Sequence, residues 1–150
     1  MKIIVCVDNQ NGMMFNHRRQ SQDRVLRKRI LELTGGKKLW MNAYSQKQFL
    51  QVNGNMPKEQ EQSGQLGQSG QIQADEAFLE KAGPGEPCFV EDRSVAPFAG
   101  RVERVVLYRW DRAYPADLYW DLSLEGWTLA RREEFPGSSH EIITKEVYIP

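Results

Sequence analysis

The sequence predicts a single α/β domain whose mixed sheet has a parallel core, antiparallel C-terminal strands and helices on both faces. Two observations predict this fold class. In the first half of the 150 residues, short apolar runs alternate with helical patterns, which is typical of parallel strands joined by crossover helices. The last third contains strand patterns with little helical pattern between them, so these strands are expected to extend the sheet in the antiparallel direction.

The first strand and the first helix carry the clearest signals. Residues 3–7 form an uninterrupted apolar run that ends at Asp8, which predicts a central strand buried on both faces. Ser21 is a good N-cap for a helix over about 22–33, with Asp23 in the first turn, where a negative charge suits the helix dipole. The side chains expected on the buried face of this helix are Leu26, Ile30 and Leu33, with Val25 beside them.

Shorter patterns predict the remaining elements. Met13, Met14 and Phe15 interrupt the polar loop 8–20, so part of that loop is expected to fold back onto the core. The predicted strands are 39–41, 88–90, 104–110, 127–135 and 142–148; the predicted helices are 46–50 and 75–82, with a turn of helix at 95–99.

The segment from about 51 to 73 differs in composition from the rest of the chain. Gln, Gly, Ser, Asn and Glu dominate it, and it contains Ser-Gly-Gln-Leu-Gly-Gln-Ser-Gly-Gln. Such a segment cannot bury enough apolar surface to offset the entropy of ordering it. We therefore expect a flexible Gln/Gly-rich insertion within one domain that spans 1–150, with order returning at Ala74.

Charge and cysteine usage exclude several classes of protein. Lys+Arg and Asp+Glu both number 20, and zero net charge argues against a general nucleic-acid binder. No apolar run approaches the length of a signal peptide or a membrane span, so a cytoplasmic protein without a membrane partner is expected. Cys6 and Cys88 lie in apolar runs and are expected to be buried, reduced thiols. His17 and His140 show no ligand spacing to them, so no metal is expected.

Polar side chains follow three of the predicted parallel strands and precede the first helix. Because ligands of open α/β sheets bind outside the carboxyl ends of the strands, these side chains predict a ligand site. They are Asp8, Arg18, Arg19, Asp23, Asn42, Tyr44, Glu91 and Asp92. Four carboxylates beside two arginines favour a small anionic or zwitterionic ligand, or a protein partner. Three other interpretations stay open: acids that face water, ion pairs that cancel internally, and a divalent cation held by the carboxylates.

Residues 138–140, Ser-Ser-His, supply side chains of the types used in nucleophilic catalysis. The sequence around them marks neither a partner acid nor the glycine elbow of a serine hydrolase. The segment is therefore expected to be the turn before the last strand.

The order and spacing of several segments match a known family. The first strand is followed by a long loop and a helix with Asp23 in its first turn. Residues 39–45, Leu-Trp-Met-Asn-Ala-Tyr-Ser, resemble a strand that normally ends in Gly-Arg-x-Thr, and 88–92, Cys-Phe-Val-Glu-Asp, resemble one that ends in Gly-Gly. Together with the spacing of 105–109 and 140–149, these segments resemble the dihydrofolate reductase family over most of the chain. The resemblance implies that this chain has the fold of that family and that Asp23 stands at the position of its pterin-binding, catalytic acid.

The sequence also departs from the family's pattern at the cofactor site. Glu91-Asp92 replaces the Gly-Gly that lets the backbone approach the cofactor pyrophosphate, and Ala43 replaces the arginine that ends the second strand. The insertion replaces the strands that usually hold the adenosine half.

These departures favour a non-catalytic or regulatory binding module that uses no cofactor. The alternative is an atypical reductase that uses NADPH or a pterin, with Asp23 as its catalytic residue. A third hypothesis, with less support, is a metal-dependent hydrolase or nuclease built on Asp8, Asp23, Glu91 and Asp92.

Overall fold

The computed structural model describes residues 1–50 and 71–150, which form a seven-stranded sheet of order β5-β4-β6-β1-β7-β10-β9 and a small sheet of order β3-β2-β8. The strands are β1 (Lys2–Val7), β2 (Gly12–Phe15), β3 (Arg18–Arg19), β4 (Leu39–Met41), β5 (Ile72–Ala74), β6 (Pro87–Val90), β7 (Arg104–Arg109), β8 (Leu118–Tyr119), β9 (Thr128–Phe135) and β10 (Ile143–Ile149). The helices are α1 (Arg24–Thr34), α2 (Ala43–Leu50), α3 (Phe78–Lys81) and a 3-10 helix over Ala96–Arg101.

The large sheet is mixed, as the sequence predicts. β1 pairs in parallel with β6 on one side and with β7 on the other, and β4 pairs in parallel with β5 and β6. β10 pairs antiparallel with both β7 and β9. The predicted fold class is confirmed, and the parallel pairing brings the carboxyl ends of β1, β4 and β6 to one edge of the sheet.

The side chains of β1 alternate between two cores, which explains why its apolar run has no polar interruption. Ile3 and Val5 pack in the core that also contains Phe78 of α3. Ile4 packs in the core on the opposite face, where Leu26 of α1 and Phe49 of α2 lie. Helices therefore cover both faces of the sheet. In the described ranges, none of the helices is long and apolar enough to cross a membrane.

Helix α1 begins later than the sequence predicts. Its N-cap is Asp23 rather than Ser21, because the Asp23 carboxylate accepts hydrogen bonds from the backbone N–H groups of Val25 and Leu26. The buried face is also rotated: Leu31 is buried, whereas Leu33 is exposed, so the prediction for Leu33 is wrong. The expected burial of Leu26 and Ile30 is confirmed.

The loop 8–20 contains a hairpin that the sequence did not reveal. β2 and β3 pair across a two-residue turn, Asn16-His17, and β8 pairs with the other side of β2. Met13 and Met14 are buried, as expected, but Phe15 is 47% exposed. The predicted insertion falls mostly on 51–70, outside the described residues, and β5 begins at Ile72, two residues before the predicted return of order at Ala74.

Candidate functional site

The predicted site residues lie at the carboxyl edge of the sheet, and Cys6, near the end of β1, lies close to several of them. Burial raises the pKa of the Cys6 thiol, the carboxylates of Glu91 and Asp23 raise it further, and the nearby guanidinium of Arg19 opposes them. The thiol is therefore protonated at neutral pH. Cys88 is also a free thiol, and burial raises its pKa to about 12.

Glu91, at the end of β6, is held by an ion pair and by side-chain donors. Its carboxylate accepts two hydrogen bonds from Arg19, from Nε at 2.9 Å and from Nη2 at 3.1 Å. Ser45 Oγ donates at 2.7 Å and Gln48 Nε2 at 3.2 Å. The Arg19 guanidinium also lies 4.4 Å from the centre of the Tyr44 ring. The buried charge of Glu91 is thus neutralised within the protein.

Asp92 and Arg18 stand apart from that ion pair. Asp92 accepts a hydrogen bond of 2.7 Å from Asn42 Nδ2 and one of 2.9 Å from Arg93 Nε. Arg18, on β3, is exposed, and within 1–50 and 71–150 no acceptor takes a hydrogen bond from its guanidinium. Of the two predicted arginines, only Arg19 therefore joins the carboxylates.

Asp8, at the end of β1, is fully buried and anchors two loops. Oδ1 accepts from the backbone N–H groups of Gln10 and Gly12, both at 2.8 Å, and Oδ2 accepts from Tyr114 N and Gln20 Nε2, both at 3.1 Å. Burial alone would raise the pKa of Asp8, but these four hydrogen bonds together hold it below its usual value. Both oxygens are occupied, so Asp8 is a structural acceptor.

Asp23 is the N-cap of α1 and also binds the turn before β10. Besides the two N–H groups of α1, its carboxylate accepts from Ser138 N at 3.0 Å and Ser139 N at 2.8 Å. Burial would raise the pKa of Asp23, but the hydrogen bonds from Ser138, Ser139 and His140 outweigh it and hold the pKa far below its usual value. Asp23 is therefore a buried carboxylate that is ionised at neutral pH.

His140 connects Asp23 to two hydroxyl groups. Its Nδ1 lies 3.1 Å from Asp23 Oδ2, and its Nε2 lies 3.0 Å from Ser21 Oγ and 3.3 Å from the Tyr114 hydroxyl. The imidazole is buried and stacks on Trp110 with a ring separation of 4.6 Å. Sequence reasoning missed this arrangement, because 117 residues separate His140 from Asp23 and no local spacing links them.

Two cavities border the β2–β3 hairpin. One has a volume of about 330 Å³ and is lined by Phe15, Asn16, Arg18, Arg19, Gln20, Tyr114 and Pro115. The other has a volume of about 520 Å³ and is lined by Met14, His17, Tyr44, Asp92, Asp117 and Leu118. The predicted residues Arg18, Arg19, Tyr44 and Asp92 thus lie at open spaces, whereas Asp8, Asp23, Asn42 and Glu91 do not line either cavity.

The four predicted carboxylates do not gather into a cation site. In the described part of the chain, no three His, Cys, Asp or Glu side chains are grouped so that they could hold a metal ion. Asp8 and Asp23 are occupied by N–H donors, and Glu91 by Arg19. The hypothesis of a metal-dependent hydrolase or nuclease built on these four acids is therefore not supported.

Comparison with known proteins identifies the fold. No family model matches the sequence, and no curated protein matches it. Among solved structures, the chain is similar to a dihydrofolate reductase from Enterococcus faecalis that is complexed with NADP(H) and RAB-propyl. The TM-score is 0.60 at 10% sequence identity, and the match covers 99% of this chain and 94% of that one. The fold of this chain is therefore dihydrofolate-reductase-like, as the sequence resemblance implies.

Proposed function

We propose that this chain is a ligand-binding or regulatory module that does not catalyse NADPH-dependent reduction, and that its ligand is a small zwitterion. The observation that carries the proposal is the state of Asp23, whose two carboxylate oxygens are occupied by donors of the protein itself. Arginines line one cavity and aspartates line the other, and this pair of charges suggests a zwitterionic ligand.

An acid that binds a pterin needs a carboxylate open to the ligand. In this chain the turn 138–140 lies against Asp23, and the N–H groups of Ser138 and Ser139 donate one hydrogen bond to each carboxylate oxygen. A ligand at Asp23 would have to displace this turn and leave its N–H groups without an acceptor. Each stranded donor costs about 1–3 kcal/mol, so a ligand at Asp23 is disfavoured.

The strand end that should approach the cofactor pyrophosphate carries two carboxylates instead of two glycines. Asp92 lines the larger cavity together with Asp117, and Glu91 lies immediately before it. Repulsion between like charges makes binding of a phosphate next to these carboxylates less favourable. This supports a site that rejects a dinucleotide.

Charged side chains of opposite sign line the two cavities that border the β2–β3 hairpin. Arg18 is a cation at the smaller cavity, where Gln20 Oε1 is a buried acceptor that has no hydrogen-bond partner in the described chain. Asp92 and Asp117 are anions at the larger one. His17 lines the same cavity. A small ligand with one anionic and one cationic group matches this distribution.

Thermal unfolding in the presence of candidate ligands tests the proposal. The probes are NADPH, dihydrofolate and a panel of free α-amino acids, which are small zwitterions. A ligand present at 100 times its Kd adds about 2.7 kcal/mol of stability and raises the midpoint measurably. We expect a saturable shift with at least one amino acid, and a loss of that shift in both Arg18→Ala and Asp117→Asn.

Two outcomes would overturn the proposal. One is that no amino acid shifts the midpoint at millimolar concentration. The other is a saturable shift with NADPH, together with NADPH oxidation in the presence of dihydrofolate that falls sharply in Asp23→Asn. The second result would establish the atypical reductase instead.

A further inference from the structure

We propose that Ser21, His140 and Asp23 form a nucleophilic triad that cleaves small carboxylic esters through an acylated Ser21. This inference goes beyond the proposed function, since binding a zwitterion requires no covalent step. It rests on the hydrogen-bonded order of the three side chains, on the burial of His140 and Asp23, and on the cavity lined by Tyr114, whose hydroxyl contacts His140.

The three side chains stand in the order that serine nucleophiles require. Asp23 Oδ2 lies 3.1 Å from His140 Nδ1, and His140 Nε2 lies 3.0 Å from Ser21 Oγ. Both separations are hydrogen-bond distances, and the two ring nitrogens serve opposite ends of the relay. Because two parts of the chain that are more than one hundred residues apart have to meet to build this arrangement, it is recognisable only from the fold.

The ionisation of Asp23 fixes the proton positions. A buried carboxylate that accepts several N–H donors stays ionised, so it accepts from His140 and cannot donate to it. His140 Nδ1 therefore carries a proton toward Asp23, and Nε2 faces the hydroxyls of Ser21 and Tyr114, of which Ser21 is the nearer. Asp23 acts as a positioning residue, and the stack on Trp110 fixes the plane of the ring.

Ser21 is the accessible member of the relay. His140 and Asp23 are buried, with 3% and 0% of their side chains exposed, whereas Ser21 is half-buried. Tyr114, whose hydroxyl lies 3.3 Å from His140 Nε2, lines the cavity of about 330 Å³. Gln20, the residue before Ser21, lines the same cavity, so the cavity reaches two neighbours of the relay although Ser21 and His140 are not part of its wall.

Donors for the developing oxyanion lie next to Ser21 in the chain. In the described residues, no acceptor takes the backbone N–H of Ser21 or of Gln22. The N–H of the residue after a nucleophilic serine commonly forms part of an oxyanion hole. The cavity wall adds the Phe15 ring and the Arg18 cation, which favour an ester with an apolar part and an anionic group.

The reaction balances with water as the only co-substrate. Ser21 Oγ attacks the ester carbonyl carbon while its proton passes to His140 Nε2, and the alcohol leaves with that proton as the carbon–oxygen bond breaks. Water then attacks the acyl-serine and gives a proton to His140, which returns it to Ser21 Oγ as the carboxylic acid departs. The ester and water become an acid and an alcohol, and no oxidant or metal is needed.

The first experiment identifies the nucleophile directly. The full-length protein is treated with an alkyl fluorophosphonate, and the adduct is located by peptide mass spectrometry. We expect one adduct on Ser21, abolished in Ser21→Ala and retained in Ser123→Ala, which alters an exposed serine outside the network. Unlabelled protein, or label spread over several hydroxyl groups, would overturn the proposal.

The second experiment measures hydrolysis of p-nitrophenyl esters, with a neutral acyl group and with one that ends in a carboxylate. Ser21→Ala should lower kcat/KM by about 100-fold or more, because the acyl-enzyme cannot form without the serine hydroxyl. Thermal midpoints show whether each variant is folded, and Ser21→Ala is expected to keep the wild-type value because Ser21 is half-buried. A rate that is unchanged in folded Ser21→Ala would refute the triad. Amino-acid binding does not involve Ser21, so either proposal can fail without the other.

Discussion

Two buried carboxylates at the same edge of the sheet, Asp23 and Glu91, are stabilised in different ways. Asp23 is held mainly by backbone N–H groups, two from α1 and two from the turn 138–140, with His140 beside them. Within the described residues, Glu91 accepts hydrogen bonds from the side chains of Arg19, Ser45 and Gln48 and from no backbone N–H group. Backbone donors fix the path of the chain, whereas side-chain donors leave it free to move.

This difference assigns the two acids different roles. Asp23 connects the start of α1 to a turn more than one hundred residues later, so its charge is part of the fold. It also lies at the N-terminus of a helix, where the helix dipole stabilises a negative charge. Glu91 depends on one cation, and that cation also packs on Tyr44 next to the open cavities. The Glu91 side of the edge is therefore the adjustable one.

The largest effect is expected where Glu91 loses its cation. Arg19→Met keeps much of the stem but removes the guanidinium, which leaves a carboxylate that is only 8% exposed without a counter-charge. Breaking a buried ion pair in this way costs about 3–5 kcal/mol, and we expect a loss near the lower limit because Ser45 and Gln48 remain. Urea denaturation measures the free energy of unfolding.

Arg18→Ala is the matched control for this substitution. Arg18 is the exposed neighbour of Arg19 on β3, so its removal should change stability by no more than about 0.5 kcal/mol. Adding Glu91→Gln to Arg19→Met removes the stranded charge and should restore part of the loss. Equal stabilities of Arg19→Met and Arg18→Ala would show that the ion pair contributes nothing.

A smaller effect is expected at the contact between Asp23 and its turn. A Cβ on Gly137 would overlap the Asp23 carboxylate and lie 3.0 Å from Ile143 Cδ1. Gly137→Ala should therefore push the turn away from Asp23 and lower stability by about 2 kcal/mol. In Gly100→Ala the new Cβ meets no atom within 4 Å, so this control should stay near the wild type. Equal unfolding midpoints for the two variants would show that the turn is not held tightly.

Much of the fold follows from local patterns, and each failed prediction has an identifiable physical cause. The continuous apolar run of β1 is readable because the strand is buried on both faces. The β2–β3 hairpin is not readable, because its turn, Asn16-His17, has positive φ at both positions yet lacks the glycine that usually signals such a turn. Ser21 and Asp23 are both good caps, and the distant turn 138–140 favours Asp23.

The sequence predicts where the candidate site lies, but not which of its residues contact one another. Strand topology brings Asp8, Asn42 and Glu91 to one edge, as expected from the rule for parallel sheets. The partners of each acid depend on contacts between residues far apart in sequence, such as Arg19 with Glu91 and His140 with Asp23. No spacing in the chain encodes these pairs, so sequence reasoning placed all the acids in one cleft.

The smallest effect is the response of Asp23 to acid. The pKa of Asp23 in the folded protein lies far below the value of about 3.9 expected in the unfolded chain, because Ser138, Ser139 and His140 donate to the charged form. Between these two values the unfolded chain binds more protons, so stability is present above pH 4 and is lost as the pH falls. From pH 5 to pH 3 this group alone should lower the free energy of unfolding by about 1 kcal/mol.

Asp23→Asn is less stable at every pH but lacks this titration, so its stability should fall less steeply over the same range. The lowered pKa values of Asp8 and Asp121 cause an acid loss common to both proteins, which the comparison cancels. Parallel stability curves for wild type and Asp23→Asn would show that the charge of Asp23 does not connect α1 to the turn.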